Sequence, residues 1–138
     1  MTVHLLKLCV GVDEVAELAA WQDERLQKLK RIYHVTRMVP KRKSEVLDGG
    51  SIYWVIRGLI SVRQRIVAIE PFTDDEGIER CKLVFDRDLV PVRPAPRRAF
   101  QGWRYLEADD APPDVKTLPG SGELSDTMRA ELAALGLL

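Results

Sequence analysis

The stretch from Ser51 to Ile69 constrains the fold more than any other part of the chain. Ser51 to Arg57 alternates strictly, with Ile52, Trp54 and Ile56 facing one way and Tyr53, Val55 and Arg57 the other. Gly58 supplies a turn or bulge into a second, longer extended run, Leu59 to Ile69. On that run Arg63 and Arg65 share a face with Leu59 and Ser61, opposite Ile60, Val62 and Ile66. A hairpin with one strongly apolar face is not stable alone; it needs further strands and a covering layer.

The flanking sequence supplies both. His4 to Val10 reads as a strand ending at Gly11. Asp13 is placed to N-cap a helix whose apolar stripe is Val15, Leu18, Ala19, Leu26 and Leu29, with Trp21 extending the packed side. Tyr33 to Val39 is a second strand, closed by Pro40, and Lys41 to Leu47 a short basic helix ended by Asp48-Gly49-Gly50. Beyond the hairpin, Thr73 to Gly77 reads as a loop, and Cys81 to Phe85 and Leu89 to Val92 as two short strands. Arg93 to Pro96 reads as a stiff linker, and Phe100 to Leu106 as a last strand. The expected fold is therefore α+β: a curled antiparallel sheet or small barrel, with one long and one short helix packed on it. Residues 1–115 form a single domain in this reading. From 116 to 138 the sequence turns rich in Pro, Gly and Ser, then offers a short helix from Ser125 to Leu135. That tail is expected to be flexible, with docking of the helix as the alternative.

With 46% hydrophobic and 30% charged residues and zero net charge, the chain has ordinary globular composition and no overall field for polyanions. Its charges are nevertheless segregated. From Arg25 to Arg65 there are eleven basic residues (Arg25, Lys28, Lys30, Arg31, Arg37, Lys41, Arg42, Lys43, Arg57, Arg63, Arg65) against Glu45 and Asp48, a balance of +9. Arg93, Arg97, Arg98 and Arg104 follow without an intervening acid. Such asymmetry points to an anionic partner. Nothing approaches transmembrane length, and the apolar N-terminus, broken by Lys7, lacks the build of a signal peptide. Cys9 and Cys81, far apart in apolar runs, read as buried free thiols of a reducing cytosol.

The candidate anion-binding residues are Arg37, Lys41, Arg42, Arg63, Arg65, Arg97, Arg98, Trp103 and Arg104. Lys41 and Arg42 lie by a helix start, where ammonium heads and backbone N–H groups suit a phosphate, or they form an exposed turn. Arg63 and Arg65 either reach one anion together or pair across the sheet with Glu70, Asp86 or Asp88. Arg97, Arg98, Phe100, Trp103, Arg104 and Tyr105 interleave guanidinium groups with aromatics, the chemistry of phosphate contact and base stacking. Trp103 and Phe100 equally suit the core. The partners implied are RNA or a modified nucleotide, or else an acidic protein; a membrane is not implied. A small hydrolase or nucleotide-modifying enzyme built on His34 is the remaining alternative. Two histidines and two scattered cysteines show no zinc spacing, no catalytic residue stands out, and no motif calls for a cofactor.

Thr36 to Arg42, the run Asp48-Gly49-Gly50-Ser51-Ile52-Tyr53-Trp54-Val55-Ile56, Pro96 to Leu106 and the opening His4 to Gly11 closely resemble an uncharacterised alphaproteobacterial family, "domain of unknown function 1489". The resemblance spans roughly residues 3 to 115, leaves the tail outside, and implies no activity. In architecture the short helix, Gly-Gly turn, strand, glycine and long strand resemble PUA-like barrels, including the ASCH and EVE groups. Several of those bind RNA or modified bases, which is what this second resemblance implies.

Overall fold

The structure is a computed structural model, and it describes residues 2–115. Six strands and two helices follow in the order β1 (Val3–Leu8), α1 (Val15–Leu29), β2 (Ile32–Thr36), α2 (Lys43–Val46), β3 (Ser51–Ile56), β4 (Leu59–Thr73), β5 (Glu79–Pro96) and β6 (Trp103–Glu107). The strands make one sheet in the order β2-β5-β4-β3-β1-β6. The class is α+β, but the sheet is mixed rather than wholly antiparallel: β1 runs parallel to β3, with Leu5 opposite Ile52 and Lys7 opposite Trp54. The helical crossover between them is what allows a parallel pairing.

The sheet curls without closing. Its two edges come together around Met38, just after β2. The Met38 carbonyl accepts the Trp103 indole N–H from β6 at 2.8 Å and lies 3.8 Å from the Cys81 thiol on β5. Nearby, the Arg42 N–H donates to the Tyr105 hydroxyl at 3.1 Å. No ladder joins β2 to β6, so of the two forms expected the sheet is the curled one and not a closed barrel.

The inner face of the curl carries the main core: Val3, Leu5, Ile32, Ile52, Trp54, Val62, Ile66, Leu83, Phe85 and Trp103, covered by Leu18 of α1. The outer face carries a second cluster, Leu6, Tyr53, Val55, Ile60, Val92 and Leu106, with Phe100 and Ala111 laid against it. The alternation read from β3 holds, with Trp54 inward and Tyr53 outward. On β4 it does not. The register shifts between Ile60 and Val62, so Ile60 joins the outer cluster and Val62 the inner one. A bulge at Ser61, whose hydroxyl donates to the Leu59 carbonyl at 2.9 Å, changes the parity.

Four other expectations change. The strands read at Cys81 to Phe85 and Leu89 to Val92, and the linker Arg93 to Pro96, are one continuous strand, β5. Its prolines cost little because beyond Phe85 its far edge carries only a single bridge, Val92 with Asp114. In α1, Trp21 and Leu29 lie outside the packed face at 44% and 48% exposure, while Gln22 is buried. The helix is preceded by Glu14, and no side chain caps it. The short helix read over Lys41 to Leu47 narrows to Lys43–Val46. The tail expected from 116 lies outside the described residues.

Candidate anion-binding surfaces

The curl divides the candidate residues between separate places. On the outer face, strand register sets Arg63 opposite Tyr53, Tyr53 beside Leu6, and Leu6 opposite Arg104. Arg65 lies opposite Ser51 in the next row of that face. At about 4.8 Å per strand, Arg63 and Arg104 stand roughly 14 Å apart. The Arg104 guanidinium lies 5.6 Å from the Phe100 ring centre. Arg65 and Arg104 are exposed and form no ion pair among the described residues.

Arg63 is held. Its Nε and Nη2 donate to the two Asp114 carboxylate oxygens at 2.7 and 2.8 Å, and Nη1 donates to the Ser51 hydroxyl at 3.2 Å. This is the planar, two-pronged geometry in which a guanidinium meets any oxyanion. The pairing raises the Arg63 pKa and lowers that of Asp114. It also takes the place of the cross-sheet partner, Glu70, Asp86 or Asp88, that was one of the two alternatives for Arg63. Glu70 is taken instead by Arg31, at 2.6 Å. Around this pair sit His4 and Tyr53, ring centres 5.0 Å apart; the His4 Nδ1 accepts the Ser51 N–H at 3.0 Å. Burial, then the Arg63 charge, lowers the His4 pKa, and burial raises that of Tyr53.

Arg37, Lys41 and Arg42 lie elsewhere, where the loop after β2 meets β6. Arg42 is engaged by Glu45 at 2.7 Å and Glu107 at 2.6 Å, with its guanidinium 5.3 Å from the Tyr105 ring centre. Those two carboxylates raise its pKa. Arg37 and Lys41 are exposed. Trp103 is 3% exposed and belongs to the inner core, so its ring offers no stacking face to solvent. Arg97 and Arg98 sit at the tip of the β3–β4 hairpin. There the Arg97 N–H donates to the Gly58 carbonyl at 2.9 Å, and Arg97 Nη1 donates to the Pro96 carbonyl at 2.7 Å.

Sequence reasoning passed over His4, Ser51 and Asp114, which complete the surroundings of Arg63. Asp114 carried no signal, because it meets Arg63 only through a single bridge formed late in the chain. The inner face also gathers Lys7, His34 and Trp54 beneath α1. His34 meets the Trp54 ring edge-on at 6.3 Å, and burial, then the charges of Lys7 and Arg25, lower its pKa to about 4. The thiol of Cys9 is pushed up to about 11 by burial, so it is protonated at neutral pH and is not an activated nucleophile. Among the described residues no group of three His, Cys, Asp or Glu side chains is placed to hold a metal ion. Among them, too, no helix is long and apolar enough to cross a membrane.

No curated protein and no solved structure matches this chain. One family profile does, described as "Protein of unknown function (DUF1489)", over residues 5–138. The match is longer than the resemblance drawn from sequence, roughly residues 3 to 115, which left the tail outside. The chain therefore belongs to the DUF1489 family of proteins of unknown function.

Proposed function

We propose that the protein is a non-enzymatic binding domain that takes RNA or a modified nucleotide on the outer face of its curled sheet. The observation that carries this reading is the two-pronged seat of Arg63 on a carboxylate, flanked by Arg65 and Arg104, which have no ion-pair partner among the described residues. A guanidinium already positioned for one oxyanion suits another, and Arg65 and Arg104 add charge on the same face. Phe100, half-buried beside Arg104, supplies an aromatic edge for a base. Arg97 and Arg98 extend the basic strip toward the hairpin tip, while Arg37 and Lys41 form a separate basic patch. The open, helix-covered curl supports the PUA-like comparison. Two unpaired cysteines, one buried, support a reducing, cytoplasmic setting.

Fluorescence anisotropy of the full chain with short RNA at two salt concentrations tests this. Binding that weakens steeply with salt, and that is lost when Arg65→Glu and Arg104→Glu are combined, supports the reading. Absence of binding at low salt overturns it and shifts the basic face to docking an acidic protein.

A further inference from the structure

Ser51 ties side chains from two neighbouring strands to one point of the outer face. Its backbone N–H donates to His4 Nδ1 on β1 at 3.0 Å, and its hydroxyl accepts Arg63 Nη1 from β4 at 3.2 Å. Ser51 is wholly buried, so it is a fixed anchor for both. Its register partner on β4 is Arg65, whereas Arg63 is the partner of Tyr53, one row along. Arg63 therefore leans out of its own row, and its guanidinium stands over the row His4, Ser51, Arg65. Those three residues lie on adjacent strands, about 4.8 Å from one to the next. The Tyr53 ring meets that of His4 edge-on at 5.0 Å and borders the same point.

Two donors here are left over. Because His4 Nδ1 accepts the Ser51 N–H, the ring proton sits on Nε2. Neither that N–H nor the Tyr53 hydroxyl makes a hydrogen bond among the described residues. No buried polar side-chain atom among those residues lacks a partner, so both donors open to solvent. For Tyr53 this is a specific arrangement: the residue is 4% exposed, with its ring in the outer cluster and its hydroxyl left out. The acid at this point is Asp114, and both of its oxygens go to Arg63. Its backbone is pinned separately, by the Arg93 N–H to the Pro113 carbonyl and the Val115 N–H to the Pro91 carbonyl, each at 2.9 Å. The 45% exposed carboxylate can therefore swing into water without loosening the chain.

We propose, resting on the RNA- or nucleotide-binding function advanced for this face, that the group recognised at Arg63 is a terminal phosphate: a phosphate monoester at an RNA end or on a free nucleotide. It takes the place of the Asp114 carboxylate on Arg63, and His4 Nε2–H, the Tyr53 hydroxyl and Arg65 supply the remaining donors. An internal phosphodiester has two free oxygens and a single charge, which the Arg63 fork satisfies alone. A monoester has three free oxygens and a charge of about −1.5 to −2, so it uses the donors that Asp114 leaves idle. His4 and Tyr53 enter the site on this ground; neither is basic enough at neutral pH to attract RNA by charge.

Fluorescence anisotropy of the full chain with one short RNA sequence tests this, the strand carrying hydroxyls at both ends, a 5′-phosphate or a 3′-phosphate. One phosphorylated strand is expected to bind about tenfold tighter than the strand with two hydroxyl ends. Tyr53→Phe removes only a hydroxyl that no described residue bonds, so the fold is kept. It should cut that advantage to about twofold or less and leave the affinity for the hydroxyl-ended strand unchanged. His4→Gln should act in the same direction; if losing its bond to Ser51 unfolds it, Tyr53→Phe decides alone. Competition by a nucleoside monophosphate as effective as the phosphorylated strand identifies a free nucleotide as the source, and feeble competition identifies an RNA end. The proposal is overturned if all three strands bind alike, which leaves RNA binding by this face standing. It is equally overturned if Tyr53→Phe keeps the full advantage, the mark of added charge alone. Failure of every strand and of the monophosphate to bind at low salt overturns the proposal together with the function it rests on.

Discussion

Gln22 of α1 and Gln64 of β4 exchange amide hydrogen bonds in both directions, at 2.9 and 2.7 Å, with both side chains almost wholly buried. Gln64 also accepts the Trp54 indole N–H at 3.2 Å and donates to the Asp86 carbonyl at 2.7 Å. This small network fixes the depth at which the helix seats on the sheet, since sliding the helix would break several bonds at once.

Replacing one member therefore costs more than replacing both. Gln64→Leu strands the Gln22 amide, the Trp54 N–H and the Asp86 carbonyl and is expected to destabilise by about 2–4 kcal/mol. Gln22→Leu leaves the bonds to Trp54 and Asp86 and costs less. The double variant is expected to recover part of the loss, giving a coupling of about 1 kcal/mol or more in a urea-denaturation double-mutant cycle.

Gly50 cannot carry a side chain. A Cβ there would lie 2.3 Å from the Val46 carbonyl oxygen and 2.4 Å from that of Val3, both backbone atoms. Gly50→Ala should force α2 away from β1 and destabilise by about 3 kcal/mol or more. Gly11→Ala is the control: its φ of +81° strains an L-residue but its surroundings are open. That change should cost about 1–2 kcal/mol. Denaturant midpoints of the two variants check the ordering.

His34 gives stability a pH dependence. Its folded pKa, about 4, lies below the ordinary 6.5, so the unfolded chain binds the proton more readily. Its contribution is complete above about pH 6.5 and declines as pH falls toward 4. With partial exposure discounted, the loss amounts to roughly 2 kcal/mol or less. Melting temperatures between pH 7 and 4.5 should fall, and His34→Gln should flatten that part of the profile.

Under the proposed function, Asp114 occupies the guanidinium that would meet RNA. Asp114→Asn removes the ion pair while preserving shape, and it should tighten RNA binding several-fold in the anisotropy assay. Because Arg63 and Asp114 are 27% and 45% exposed, the stability change should stay within about 1 kcal/mol.

The β3–β4 hairpin was readable in the sequence because period-two alternation and a glycine are local signals. The helix face was less so. Leu29 and Trp21 looked more suited to burial than Gln22, and only Gln64, 42 residues away, makes Gln22 the better choice. The flip at Ile60 was hidden because a bulge changes parity without changing composition. Prolines made the end of β5 look like a linker, since nothing local shows that its far edge is nearly unpaired. In the candidate sites, the arginines could be named from sequence but their partners could not. The meeting of Asp114 with Arg63 depends on how the sheet curls.

The pairing of Val3 with Glu107 has a consequence for synthesis. Of the described strands β1 emerges from the ribosome first, yet one of its neighbours in the sheet, β6, is the last to be made. The nascent chain must hold an apolar β1 without its full complement of partners until translation has passed residue 107. Final assembly is thus a late event dominated by distant contacts, and β1 is the strand that a chaperone would most usefully shield.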